Sequence, residues 1–188
     1  MAEDQSVPPV VFSIGHGNRG IAEFLALLGA SGIDCLIDVR AYPSSKRYPQ
    51  FTRIALEPAL RAASIRYLWE GAALGGMRSP AAGSPHAALS DPALRGYADH
   101  MSSAAFQEGL GRLCAVAALR KTVFMCAERE PAHCHRSFIA DALQIHGMRV
   151  LHIQNAGDIR PHTWRPEARL LPPDGIVYDA GVQLGFAM

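Results

Sequence analysis

Short β-branched apolar runs alternate along this chain with longer stretches in which apolar residues recur every three or four positions. Residues 10–14 (VVFSI) predict a buried strand that stops at Gly15. Ile21, Phe24, Leu25, Leu27 and Leu28 then fall at helical spacing, and Gly29 with Gly32 supplies the stop. Residues 33–39 predict a second strand, broken by Tyr42-Pro43-Ser44-Ser45, and a helix over 53–63 leads to a third strand at 65–69. Residues 70–92 are rich in Gly, Pro, Ser and Ala and predict a long loop. Helical spacing returns over 93–119, in two pieces around Ser102-Ser103. A fourth strand at 121–126, a helix at 136–146 and a fifth strand at 149–153 follow. Beyond them the chain is Pro-rich, and only Ile176 to Tyr178 resembles a strand.

Strands alternating with helices of this length require right-handed crossovers and a parallel sheet covered on both faces. The expectation is a single α/β domain over 10–153, a three-layer sandwich with a mostly parallel, Rossmann-like sheet. Residues 1–9 are expected to be a flexible N-terminus, and 154–188 an extension packed on the domain.

Composition narrows the function classes. The 188 residues are 49% hydrophobic and 19% charged, enough apolar side chain to bury a core and too much for disorder. No apolar run approaches the roughly 20 residues a membrane span needs. Residues 1–9 carry Glu3 and Asp4 and lack a basic, then apolar, signal pattern, so the expected location is cytoplasmic. A net charge of +1 argues against binding polyelectrolytes by bulk charge. Only Lys46 and Lys121 are lysines among the eighteen Lys and Arg, however, and arginine is the residue that forks onto phosphates and carboxylates. Cys35 and Cys114 lie within apolar runs, which fits free thiols in a reducing compartment rather than a disulfide framework.

Polar residues that packing does not require follow each predicted strand. His16, Asn18 and Arg19 come after the first, Asp38 and Arg40 end the second, and Glu70 ends the third, leading to Gly75, Gly76 and Arg78. Cys126 and Glu128 end the fourth and run on to Cys134-His135-Arg136, and Asn155 follows the fifth. In an open parallel sheet these carboxyl ends share one edge, where ligands bind.

Several readings of these residues stay open. Gly15-His16-Gly17-Asn18-Arg19-Gly20 matches the dinucleotide pattern G-x-G-x-x-G, with Asp38 where a ribose-binding carboxylate belongs, although His16 and Arg19 are bulky for a pyrophosphate cradle. Arg136 and the first-turn amides of its helix form a candidate anion site, with Glu128 beside them as a general acid or base. Cys134 reads as a nucleophile; Cys126, Cys134 and one histidine read as zinc ligands, although no C-x-x-C pair exists; or both thiols are packed, the reading that suits Cys126 best. Asp38 and Arg40 either orient a substrate or satisfy each other as an ion pair. Tyr42, Tyr48, Phe51, Tyr67 and Trp69 either stack on a base or belong to the core. His146 and His152 read as core or edge histidines, and His86, His100 and His162 as loop or helix-surface residues.

The motifs Ser13-Ile14-Gly15-His16-Gly17-Asn18, Asp38-Val39-Arg40 with Pro43-Ser44 and Phe51, Tyr67 with Leu74-Gly75-Gly76, and Cys126-Ala127-Glu128 with Pro131 and Cys134-His135-Arg136 occur here in order. In these the chain resembles the domain-of-unknown-function family 488 over residues 11–153. The resemblance implies a Rossmann-like α/β fold with the motifs around one crevice. The family's first motif commonly reads Gly-His-Ser-Asn, so Gly17 stands where a serine is usual, and this favours a polar catalytic or recognition site over a pyrophosphate cradle.

The leading expectation is an enzyme of hydrolase or glycosidase type acting on a nucleotide, a nucleoside or a nucleic-acid base. His16, Asp38, Glu128 and His135 are its expected catalytic groups. Asn18, Arg40, Tyr42, Ser44, Gly75, Gly76, Arg78, Cys134 and Arg136 are expected to hold an anionic substrate, with 70–92 as a lid. No cofactor, no metal and no membrane contact is expected. The alternatives are a non-catalytic nucleotide or nucleic-acid binding module, a metalloprotein using Cys134, His135 and Glu128, and a dinucleotide-dependent enzyme.

Overall fold

The computed structural model describes residues 8–173 and 175–179. Five parallel strands form the centre of the sheet: β1 (Val10–Gly15), β2 (Cys35–Asp38), β3 (Arg66–Trp69), β4 (Thr122–Cys126) and β5 (Arg149–Asn155). A sixth, β6 (Asp158–Pro161), adds antiparallel to β5, giving the order β3-β2-β4-β1-β5-β6. β7 (Ala168–Leu171) and β8 (Gly175–Tyr178) form a separate antiparallel pair. The expected α/β class and mostly parallel sheet are what the chain adopts.

The inner strands β1, β2 and β4 are covered on both faces, which is why their sequences carry short apolar runs, whereas β3 lies at the sheet edge and is partly exposed. Side chains alternate between two cores. Phe12, Ile14, Leu36, Val123 and Met125 pack under α1 (Ile21–Ala30) and α2 (Arg53–Ala62), through Phe24, Leu28, Leu56 and Leu60. Val11, Ile37, Phe124 and Val150 pack on the other face, against three further helices. These are α4 (Pro92–His100), α5 (Ala104–Leu119) and α6 (Arg136–Ile145). Helices therefore cover both sides of one sheet.

Two stretches differ from the expected pattern. The segment 70–92 is not one loop: it opens with a single helical turn, α3 (Gly71–Leu74), whose Ala73 and Leu74 are buried. The Tyr97 hydroxyl donates to the Leu74 carbonyl at 2.8 Å, and Leu89 is also buried, so the segment is anchored at both ends. Four residues are too few to show a helical period. Beyond 153, β6, β7 and β8 occupy a region where only Ile176 to Tyr178 had strand character. Most of the expected flexible N-terminus, and residues 174 and 180–188 of the extension, lie outside the described residues.

The connectivity places a switch point between β1 and β4. From β1 the chain leaves through α1 toward β2, on one face; from β4 it leaves through α6 toward β5, on the other. Loops that diverge from adjacent strands in this way open a crevice at the carboxyl ends of the sheet.

Candidate functional site

A cleft of about 660 Å³ opens at that switch point. Its lining comes from the turn after β1 (His16, Gly17, Asn18), the loop after β2 (Arg40, Tyr42, Ser44, Arg47, Tyr48) and the loop after β4 (Cys126, Glu128, Arg129). Gly76, Met77 and His135 also line it. Strand pairing continues into the floor: the amides of His16 and Gly17 donate to the carbonyls of Cys126 and Ala127, both at 2.9 Å. Gly15 is demanded by this approach, because a Cβ there would lie 1.8 Å from the Glu128 carbonyl oxygen. The space a dinucleotide's pyrophosphate takes in a G-x-G-x-x-G turn is thus filled by the protein's own loop. Arg19 reinforces the closure by donating inward to the carbonyls of Gly15 and Gln154.

His16 is buried and stacked on Phe51, with ring centroids 4.2 Å apart. Its Nδ1 lies 2.9 Å from the Gly17 carbonyl, which can only accept, so Nδ1 carries the proton. The bare Nε2 then faces Arg40 Nη1 at 3.4 Å. Burial, opposed by the Gly17 bond and reinforced by Arg40, lowers the His16 pKa to about 4. The imidazole is therefore neutral at pH 7, with its free Nε2 turned toward Arg40, and it is not a charged proton donor there.

Asp38 also departs from its expected catalytic role. It is fully buried and does not line the cleft. Oδ1 accepts from the backbone N and Nε of Arg40, and Oδ2 accepts from Arg40 Nη2 and the Tyr67 hydroxyl. Burial, joined by the neighbouring carboxylate, pushes the Tyr67 phenol up from its ordinary value. Burial opposes the Arg40 charge, but the Asp38 hydrogen bonds and charge outweigh it and raise the Arg40 pKa. Arg40 also donates to the Phe51 carbonyl at 2.8 Å, so Asp38 and Arg40 build the wall that holds His16.

Four expected binding residues lie away from the cleft. Arg136 is buried, and its guanidinium donates to Ser13 Oγ and to the Glu128 and Arg129 carbonyls, tying down the β4 loop instead of holding an anion. The first amides of α6 are also occupied, with Ser137 N donating to Cys134 O and Phe138 N to His135 O. Arg78 caps α3 through the carbonyls of Gly75 and Ala72. Gly75 is packed where a Cβ would strike the Gly71 carbonyl and Ala41, and Cys134 is buried behind the cleft wall. His16, Asn18, Arg40, Tyr42, Ser44, Gly76, Glu128 and His135 do meet at the cleft.

Two cationic groups there were not singled out from the sequence. Arg47 is exposed, its guanidinium 5.5 Å above the Tyr48 ring. Arg129 is held by Asn155 Oδ1 at 2.6 Å. Their position beside Tyr48 and Glu128 is the one signal that could have marked them. Tyr42 is 70% exposed at the rim, and Met77 is exposed as well, with a φ of 65° that is unusual for a residue with a side chain. Glu128 is the one carboxylate lining the cleft among the described residues. Its Oε1 accepts from the amides of Arg129 at 2.7 Å and Glu130 at 3.3 Å, which fixes the carboxylate while the side chain remains exposed.

A sulfur and nitrogen cluster sits at one end of the floor. The side-chain donor atoms of Cys126, Cys134 and His135 all lie within 4.8 Å of one another. Glu128 is not part of this cluster, contrary to the metalloprotein alternative, and Cys126 takes its place. Hydrogen bonding to Cys126 draws the Cys134 thiol well below its usual value, while the bond to Cys134 and burial hold Cys126 well above.

The motifs that build this cleft fall largely within one family model, the domain of unknown function DUF488, which matches residues 20–143. The chain belongs to DUF488. The match takes in the β2 loop, Glu128 and the Cys126–Cys134–His135 cluster, and begins just after the His16 turn. No curated protein and no solved structure matches this DUF488 chain. No helix among the described residues is long and apolar enough to cross a membrane.

Proposed function

We propose that the cleft hydrolyses a bond in a nucleotide, a nucleoside or a nucleic-acid base, as an enzyme of hydrolase or glycosidase type. The observation that carries this reading is Glu128. Its carboxylate is anchored through one oxygen by two backbone amides, in a cleft whose other charged groups at the rim are Arg47 and Arg129. A fixed carboxylate at a ligand-binding edge suits general-base work: it takes a proton from a water whose oxygen attacks the electrophilic carbon or phosphorus, and the bond to the leaving group breaks, that group keeping the electron pair and taking up a proton from the carboxyl or from solvent. Arg47 and Arg129 suit the anionic part of the substrate, and the exposed Tyr42 ring suits a base or sugar face. His16, neutral and held by Arg40, acts as a positioning residue in this reading.

The test is a panel of nucleotides, nucleosides and base-modified oligonucleotides, with and without added divalent ions, followed by chromatography for released base, phosphate or altered base. Turnover by the wild type, lost by about 100-fold or more in Glu128→Gln with substrate binding retained, supports the proposal. Arg47→Ala and Arg129→Ala are expected to weaken binding, most strongly at low salt. Binding without turnover across the panel, indifferent to Glu128→Gln, overturns the enzymatic reading in favour of a binding module. Neither binding nor turnover overturns the substrate class.

A further inference from the structure

The geometry points to a metal site: we propose that Cys126, Cys134 and His135 bind one zinc ion as a three-ligand centre whose fourth position opens into the cleft. This claim stands on the three side chains and does not depend on the hydrolytic reading.

Spacing is the first argument. Cys126 Sγ lies 3.8 Å and Cys134 Sγ 3.7 Å from the same atom, His135 Nδ1. Zinc bound tetrahedrally by thiolate and imidazole at ordinary bond lengths sets sulfur and nitrogen about 3.6 Å apart. The two sulfurs lie within 4.8 Å of each other, so the three donors converge on one point, and an ion is gripped there with side-chain shifts of at most about half an ångström.

The second argument is the orientation of the imidazole. His135 Nε2 lies 3.0 Å from the Val39 carbonyl. A carbonyl only accepts, so Nε2 carries the hydrogen and the Nδ1 lone pair is left facing the two sulfurs. Metal-binding histidines are held in this way by a second partner, which fixes both tautomer and ring orientation. Tyr97 packs against the other side, its ring centroid 5.0 Å from that of His135.

Third, the centre is open on one side. Cys126 and His135 both line the cleft, whereas Cys134 is buried behind them. A Cβ on Gly76 would sit 3.0 Å from His135 Nδ1, so the absence of a side chain there keeps the approach to the donor atom clear. Three protein ligands with one open position is the arrangement of catalytic rather than structural zinc. Two sulfurs and a nitrogen select zinc, or cobalt as its spectroscopic substitute, over magnesium and calcium, which require oxygen ligands. On binding, the thiol protons are released to solvent and the sulfurs ligate as thiolates.

The experiment uses the full-length chain, reduced, loaded with zinc or cobalt and desalted. Metal analysis is expected to give about one ion per chain, the stoichiometry of a single three-ligand centre. The cobalt form is expected to show thiolate-to-metal charge transfer in the near ultraviolet and the intense visible bands of a tetrahedral ion. Cys126→Ser and Cys134→Ser should each lose charge-transfer intensity and weaken retention by at least about 10-fold. Cys35→Ala and Cys114→Ala, whose thiols lie outside the cluster, should keep both. Gly76→Ala should weaken retention without unfolding the chain.

Mass-spectrometric thiol trapping on the wild type covers the case of a misfolded variant: zinc is expected to protect Cys126 and Cys134 and leave the reactivity of Cys114 unchanged. Folded, reduced wild type that retains no ion overturns the proposal. So does a cobalt spectrum unchanged in both serine variants. A Cys126–Cys134 disulfide that forms equally fast with and without zinc overturns it as well, and assigns the pair to redox chemistry.

Discussion

Arg40 clasps Asp38, two residues before it in the chain, through Nε at 2.9 Å and Nη2 at 2.6 Å, and both side chains are buried at the end of β2. The pair is the scaffold of the cleft: the carboxylate neutralises the guanidinium, and the guanidinium spans from the Phe51 carbonyl to His16 Nε2.

Breaking this pair from one side strands a buried charge. Asp38→Ala is expected to lower stability by about 3–5 kcal/mol, read from the urea midpoint. Replacing both partners with apolar residues, Asp38→Leu with Arg40→Met, is expected to cost less than Asp38→Ala alone, since no charge is left without a partner. Equal or greater loss in the double variant would mean that a stranded charge is not what destabilises Asp38→Ala.

Two glycines should respond to alanine in opposite directions. Gly15→Ala drives a Cβ into the backbone of the 128–129 loop, which Arg136 holds from below, so neither chain can yield cheaply. A loss of about 3 kcal/mol or more is expected, in the range of severe core overpacking. Gly111 lies exposed within α5, where an added Cβ would meet nothing within 4 Å, and Gly111→Ala is expected to stabilise by about 0.5–1 kcal/mol through helix propensity. Thermal melts of the two variants check both signs.

The parallel core was legible because strands buried on both faces carry short unbroken apolar runs, as in Cys35-Leu36-Ile37 and Val123-Phe124-Met125-Cys126. β6 was not: Asp158-Ile159-Arg160-Pro161 is an exposed edge strand with a terminal proline, and an edge carries no burial pattern. The strand-end position of these residues was legible, because alternating strands and helices put the carboxyl ends of a parallel sheet on one edge. Their individual roles were not, because sequence cannot tell an arginine that turns inward, such as Arg136, from one that faces the cleft, such as Arg47. The two-residue spacing of Asp38 and Arg40 fitted substrate orientation and a self-contained ion pair equally well, and only the buried geometry separates them. His86 and His162, which looked like surface residues, are buried. Their partners, Tyr178 for the one and Asp141 for the other, are distant in sequence and invisible to local pattern.

That second histidine belongs to a buried chain of hydrogen bonds. Asp141 accepts from the Tyr178 hydroxyl at 2.9 Å and from His162 Nε2 at 2.8 Å, and His162 Nδ1 accepts from His152 Nε2 at 3.0 Å. It joins α6 to β8 and to the residues following β6. Asp141→Ala leaves two buried donors without an acceptor, at roughly 1–3 kcal/mol each. The expected outcome is a lower urea midpoint together with faster amide exchange in β8, the element held through Tyr178. A midpoint loss with β8 protection unchanged relative to the rest of the sheet would show that the network does not tether that hairpin.

His152 and His16 also set how the fold responds to acid. Burial, with His162 adding to it at His152, lowers the His152 pKa to about 3, and burial lowers that of His16 to about 4, against 6.5 in the unfolded chain. Below pH 6.5 the unfolded chain therefore takes up protons that the native state refuses, so acid pulls the equilibrium toward unfolding. The stabilisation is complete above pH 6.5 and is lost progressively as the pH falls toward 4 for His16 and 3 for His152. At pH 5 each histidine is expected to have cost up to about 2 kcal/mol relative to pH 7. His16→Asn keeps a donor for the Gly17 carbonyl and His152→Gln keeps one for His162, and neither side chain titrates in this window. Urea midpoints measured from pH 7 to pH 5 should fall less steeply in the double variant than in the wild type, whatever its absolute stability at pH 7. Parallel pH profiles would place the acid sensitivity elsewhere in the chain.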